Sequence, residues 1–493
     1  MIASGFALLQ GMGEGMQGMG GGGTQMRMGR DLALLAPEIA VLLTAVGALL
    51  FEMLRLPRVA LPFTVIGLLV ATGLTVPLLG TETTAFSGTF RVDALGEWAK
   101  LTLLPATILS VVLAYPEVRD TEREGTVYVL FSLTALGALA LAGAGDVMFL
   151  VLGVLLSSVG SFALVAYPAD DRATEGAMKF FVFGSVTLAV MVFGLTYWFG
   201  ATGSTLLSDL GRLGSVPLVA AFGLVAVLVG LGYKASLVPF HFWAPDAYEG
   251  APVSVAAFLS VVPKVGAIFA IAQLARDLPA GGAFGGGFGW PLAVAALAVL
   301  SMTYGNLAAL VQENVVRLLA YSSIAQSGYF LLGVVALGGS GLAVRSLVVF
   351  AAAYAAMNLG AFAIVVLTGR NLRDFAGLGR SRPAAGAAMV VFLISLVGIP
   401  PLAGFVGKLL LFGAAIEAGF TWLAVAAILN SVLSLAVYLR IVVSMYRVPK
   451  GDPLEVPNEV PPGSRPVTAV WIVALLATVG IGLAAQILLG GVA

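Results

Sequence analysis

Long runs of apolar residues separated by short polar segments fill the chain from about residue 37 to its end. About 20 apolar residues of α-helix cross a hydrocarbon core roughly 30 Å thick. On that measure the pattern predicts about fourteen spans, centred near residues 43, 69, 106, 135, 156, 189, 226, 264, 300, 327, 355, 395, 432 and 478. Membrane β-strands would be short and would alternate apolar with polar positions, which these runs do not. The expected fold class is an all-α polytopic membrane protein.

Two runs are too long for one straight crossing. Residues 215–243 are apolar except around Lys234 and Pro239, about 43 Å if continuous helix at 1.5 Å per residue. Residues 384–418 would make about 52 Å, with Gly398, Pro400 and Pro401 in the middle. Both are expected to break at their prolines, because proline removes a helix donor and clashes with the preceding turn. Interrupted spans at corresponding positions mark a protein built from repeats, with its path at mid-membrane. Five spans separate the seventh from the twelfth, and an odd number inverts one unit relative to the other. The expected organisation is a flexible Gly/Met-rich tail (1–30), three spans (31–116), a first five-helix repeat (117–280), an inverted second repeat (281–448), and a loop with a last helix (449–493).

Composition narrows the chemistry. Of 493 residues, 60% are hydrophobic and 10% charged, and the net charge is zero, so there is no basic footprint for nucleic acid. With no cysteine and one histidine, the chain cannot build the usual iron–sulfur, thiolate-zinc or bis-histidine haem site. Redox chemistry therefore falls to partners. Residues 1–30 lack the basic region of a cleaved signal peptide, and are upstream sequence if the chain starts at Met26 or Met28. Lys and Arg concentrate in loops after odd-numbered spans, among them Arg119, Arg172, Arg317, Arg370, Arg373, Arg380 and Arg447. The positive-inside rule makes those loops cytoplasmic and puts both termini on the opposite face.

Few charges fall inside the spans. Lys264 lies about eleven residues from either end of its run, too deep to reach the interface with its side chain. An intramembrane lysine is a functional candidate by default, the plainer reading being an ion pair that glues helices. Lys234 and Lys408 sit beside the two expected breaks. Lys100 is near the start of the third span and is expected to snorkel. His241 has two readings, a loop histidine at the interface or a proton carrier. Glu313 and Arg317 are spaced as a helix-end ion pair, and Glu38 as a first-turn acid beside Pro37. Tyr321, Ser322, Ser323, Gln326 and Tyr329 either bond neighbouring helices or hold a water chain.

PFHFWAPDAYEGAP (239–252), GNLAALVQENVVRLLAYSSIAQSGY (305–329), GIPPLAGFVGKLLLF (398–412) and NSVLSLAVYLR (430–440) resemble the N branch of the antiporter-like membrane subunits of bacterial NADH-quinone oxidoreductase, respiratory complex I. The wider family includes membrane subunits of Mrp-type cation/proton antiporters. The resemblance runs from about Pro37 to the C-terminus and implies fourteen helices with two inverted five-helix repeats, in the bacterial plasma membrane. It implies protons moved through buried lysines, coupled to quinone reduction elsewhere. By motif, Lys234 matches the switch lysine of the broken seventh span, Lys264 the central lysine and Lys408 the exchange lysine of the broken twelfth. Gln326 stands where histidine is usual, and it bonds water without changing charge. The family's fifth-span glutamate threads onto Leu155, so the switch is altered, completed by a neighbouring subunit, or absent. NADH, FMN, iron–sulfur clusters and quinone are implied in partner subunits, and none in this chain. A non-conducting structural subunit, or a subunit of an Mrp-type antiporter or membrane-bound hydrogenase, are the alternatives.

Overall fold

The computed structural model describes residues 22–121, 123–279, 289–447 and 464–484. Residues 1–21 of the expected tail and the loop at 449–463 lie outside the described residues. The rest of the tail departs from expectation: Gly22–Leu34 is helical and leads into the first span. The spans are α1 (Ala36–Met53), α2 (Pro57–Thr75), α3 (Ala94–Val118), α4 (Glu124–Ala142), α5 (Val147–Ala166), α6 (Asp171–Thr202), α7a (Pro217–Lys234) with α7b (Trp243–Gly250), and α8 (Val253–Asp277). They continue as α9 (Trp290–Ala309), α10 (Val315–Val335), α11 (Ala343–Thr368), α12a (Pro383–Val397) with α12b (Ala403–Glu417), α13 (Thr421–Tyr446) and α14 (Ser464–Leu483). Among the described residues, thirteen helices are long and apolar enough to cross a membrane alone. The two 15-residue halves of α12 together supply the fourteenth crossing. Between α2 and α3 a small antiparallel hairpin, β1 (Thr83–Ala85) and β2 (Phe90–Val92), covers one end of the bundle.

Both breaks fall where the prolines predict. The first follows Lys234, the last residue of α7a, and runs from Ala235 to Phe242. Its freed backbone is satisfied from neighbouring helices: Ser301 of α9 accepts from Val238 N at 3.0 Å, and Ser327 of α10 donates to Ala235 O at 2.8 Å. The second begins at Gly398, whose φ of 96° caps α12a in the left-handed region. Such irregular backbone is tolerated at membrane depth because protein encloses it. Lys234 precedes its break and Lys408 follows the other, so the two half-helix pairs are related without being copies.

The centre of the bundle is α8, where every residue from Val253 to Ala275 is buried, flanked by α10 and α11. Apolar side chains cannot drive helices together when lipid is equally apolar, so close approach through small residues does. At Gly266 of α8 a side chain would meet Ala138 of α4, and at Gly305 of α9 it would meet the α10 backbone at Ala325. Gly404 is tightest: a Cβ there would lie 1.8 Å from Ser395 O. Gly404→Ala is expected to force α12b from α12a and to lower stability by about 1–3 kcal/mol, the usual cost of overpacking. Gly200→Ala, where nothing lies within 4 Å, should not lower the thermal unfolding midpoint of the purified protein, since alanine favours helix over glycine there.

Candidate functional site

One helix, α10, touches Lys264, Lys408 and the break that follows Lys234. Its hydroxyls and amide occupy one stretch, Tyr321 to Tyr329, within a helix that is otherwise apolar except for Arg317 in its first turn. Ser323 Oγ accepts from Lys264 Nζ at 2.7 Å and itself donates to Ala320 O. Gln326 Nε2 donates to Leu396 O, at 3.2 Å, and to Tyr438 Oη, whose hydroxyl also pairs with Ser322 Oγ at 2.6 Å. Leu396 O is shared, because Lys408 Nζ donates to it at 3.0 Å and to Val397 O at 3.0 Å. Lys408 also bonds Ser431 Oγ at 3.1 Å and lies 4.0 Å above the Tyr329 ring, and Ser431 in turn donates to Tyr329 Oη. The carbonyl end of α12a therefore faces the Lys408 ammonium, the end at which a helix dipole favours a cation.

Lys234 is equally buried but more sparsely held. Its ammonium donates to Ser158 Oγ of α5 at 3.0 Å and faces the Phe180 ring at 5.7 Å. Leu155, the threaded position of the expected glutamate, is 43% exposed on the outer side of α5, one turn before the serine that makes the contact. Among the described residues, Lys234, Lys264 and Lys408 form no ion pair with a carboxylate. The helix-gluing reading of Lys264 therefore lacks its partner.

The remaining candidates sort by place. His241 lies in the α7 break and is buried, its ring 4.6 Å from both Phe242 and Tyr304, and its Nδ1 has no hydrogen-bond partner. Tyr304 continues to Tyr321, so these three rings line one edge of the break. Arg317 does not pair with Glu313. It reaches across to α7b, binding Asp246 and Glu249 at 2.7 Å each, and Asp246 also takes Lys179 of α6 at 2.6 Å. The cause is geometric: Glu313 precedes the helix, where its backbone carbonyl receives Leu372 N, while Arg317 projects from the first turn toward two acids. Lys100 does not snorkel either. It is fully buried between Glu38 and Glu97. Sequence reasoning passed over Ser158, Ser431 and Tyr438, although the last two stand seven apart in NSVLSLAVYLR, two turns along one face.

Fourteen crossings around two broken helices, with three ammonium groups buried along the middle, define an antiporter-like membrane protein. Residues 144–434 match the family described as NADH:quinone oxidoreductase/Mrp antiporter, transmembrane, and the chain belongs to that family. It is 37% identical to NADH-quinone oxidoreductase subunit N of Desulfovibrio desulfuricans, covering 93% of this chain and 95% of that one. It is 38% identical to subunit N 1 of Streptomyces griseus, over 94% and 98%. Among solved structures, a chain of respiratory complex I from Thermus thermophilus superposes with a TM-score of 0.80 at 30% identity, covering 93% of this chain and 99% of that chain. A chain of the Mrp complex from Dietzia shares the fold at a TM-score of 0.77, 22% identity, 93% of this chain and 96% of that one.

Arg317 ties α10 to α7b, so its loss should loosen the frame of the site. Arg317→Gln leaves Glu249 without its cation and is expected to cost about 2 kcal/mol. Arg317→Lys, with one compact charge and no fork, should recover part of this. Thermal unfolding of the purified protein in lipid nanodiscs measures both.

Proposed function

We propose that this chain is the antiporter-like N-type membrane subunit of a proton-pumping NADH-quinone oxidoreductase, working in the bacterial plasma membrane with both termini on the periplasmic side. Residues 117–280 and 281–448 act as its two inverted units. Protons move through Lys234, Lys264 and Lys408, driven by quinone reduction in partner membrane and peripheral subunits that hold NADH, FMN, iron–sulfur clusters and quinone. The relatives' names support this division of labour. One of them, 35% identical over 92% of this chain and 96% of its own length, is F(420)H(2) dehydrogenase subunit N of Methanosarcina mazei, named for a different electron donor.

The observation that carries the proposal is the set of three buried ammonium groups without carboxylate partners among the described residues, each held by a serine hydroxyl, Ser158 of α5, Ser323 of α10 and Ser431 of α13. A fixed, unpaired charge in hydrocarbon is costly. A lysine that exchanges a proton avoids holding that charge permanently, and serine and tyrosine hydroxyls both donate and accept, as a relay requires. Lys264 is the midpoint: it is the most enclosed, and its partner Ser323 stands beside Ser322 and one turn before Gln326 on the route to Lys408. Gln326 lies on this route and orients groups without carrying a proton, while His241 and Tyr321, joined through Tyr304, are assigned to proton entry beside the α7 break.

Lys264→Met in the assembled complex reconstituted into liposomes is expected to leave quinone reduction measurable and to abolish or strongly reduce the proton gradient this subunit adds. An unchanged proton-to-electron ratio would sink the assignment. A second reading, a subunit that keeps the fold without conducting, is favoured by Leu155 in place of the expected glutamate, by Lys234 having no carboxylate partner among the described residues, and by glutamine at 326. The double substitution Lys234→Met with Lys408→Met separates the two, since a scaffold keeps its ratio.

A further inference from the structure

Outside the lysine row, one cluster buries more charge than it balances. Lys100 of α3 has its Nζ 2.8 Å from Glu38 Oε1 of α1 and donates to Glu97 Oε1 at 2.7 Å. The lysine and Glu97 are fully enclosed and Glu38 is nearly so. Two carboxylates around one ammonium leave a formal charge of minus one. Beyond the Lys100 ammonium these carboxylates find no donor among the described residues: Glu38 Oε2 and Glu97 Oε2 are buried with no hydrogen-bond partner.

The surroundings do not make up the difference. Asp93, which also faces Glu97, is itself paired with Arg276, and Asp277 is paired with Arg91. Of the other helices packed on α3, α2 carries only Arg58, at its outer end. The one acid of α4, Glu124, lies near the far end of α3 and accepts from Tyr128. The single charged residues of α11 and α14 are Arg345 and Arg465, each in the first turn. An uncompensated charge in a low-dielectric interior costs several kcal/mol, and the simplest neutralising ligand for a pair of facing carboxylates is a proton.

A path to water is built from the same helix. Asp93, Glu97 and Lys100 stand at i, i+4 and i+7 on one face of α3, about 10 Å from first to last at 1.5 Å per residue. Asp93 caps that helix and accepts from Gln273 and Arg276 at the end of α8, where the Arg276 side chain is 36% exposed. Because α8 also carries Lys264, the cluster is anchored on the helix at the centre of the lysine row.

We propose that Glu38, Glu97 and Lys100 form a second proton-binding site, which holds one exchangeable proton shared between the two carboxylates and trades it with the aqueous face at Asp93. Binding converts one carboxylate to a carboxyl, and release returns the proton to water beside the Asp93–Arg276 pair; no other bond changes. The site is distinct from the lysine row proposed above and stands or falls without it.

Infrared difference spectroscopy on the intact complex tests it. Wild-type protein at neutral pH is expected to show a protonated-carboxyl C=O stretch that is lost in Glu97→Gln or in Glu38→Gln, and that shifts in Glu97→Asp. Glutamine reproduces the neutral carboxyl, so Lys100 keeps one carboxylate partner and the fold is expected to hold. The band should survive Lys264→Met, and Asp93→Asn should slow its hydrogen–deuterium exchange. A spectrum unchanged in both glutamine variants overturns the proposal. If only one of those variants assembles, its spectrum decides in the same way. Loss of the band in Lys264→Met would instead assign it to the lysine row and overturn the separate site.

Discussion

Hydrocarbon offers no counterion and no hydrogen bond, and the rest of this structure follows from that constraint. Each freed backbone group and each ammonium must find its partner within the protein. The chain meets much of the demand with α10, which carries serine, glutamine and tyrosine side chains where an ordinary span would carry leucine. Through them it satisfies the α7 break at Ala235 O, the α12 break at Leu396 O, and Lys264 directly.

The two broken helices meet the same requirement in opposite ways. In α7 the lysine closes the first half and borrows a hydroxyl from α5. In α12 the lysine belongs to the second half and reaches back to the carbonyls that the break exposes. A cation beside the carbonyl end of a half-helix gains from the dipole in both cases. Lys408 is held by three acceptors and an aromatic face, whereas Lys234 has one hydroxyl and a more distant ring. The row is therefore electrostatically uneven along its length.

Much of this was legible in the sequence because membrane thickness converts length into topology. The span centres, both breaks and the burial of Lys234, Lys264 and Lys408 follow from counting apolar residues and locating prolines. What counting could not supply was azimuth. Lys100 has the same distance from a helix end whether it points to lipid headgroups or inward, and only the meeting of α1 with α3 decides for Glu38. Spacing alone pairs Arg317 with Glu313, the nearest acid in sequence, although the acids it binds lie about seventy residues earlier on α7b. Likewise register alone places Leu155 at the glutamate position, and its outward direction becomes visible only when α5 is packed. Resemblance supplied the family and the roles expected of the lysines; the partners that hold them came from the packing.

The cavity beside Lys408, about 320 Å³, is walled by Gly398, Ile399, Leu409, Phe412 and Val432, several of them on the perimeter. At the opposite flank, the exposed Leu155 sits one turn from the serine that holds Lys234. The two terminal lysines thus lie behind thin apolar walls, while the central one is insulated on every side. Whatever annulus surrounds the chain, acyl tails, detergent or another polypeptide, sets the local dielectric at the two ends and leaves the middle untouched. Solubilisation is then a chemical perturbation of the end sites, and bilayer and micelle preparations of the same intact chain are electrostatically different molecules at Lys234 and Lys408.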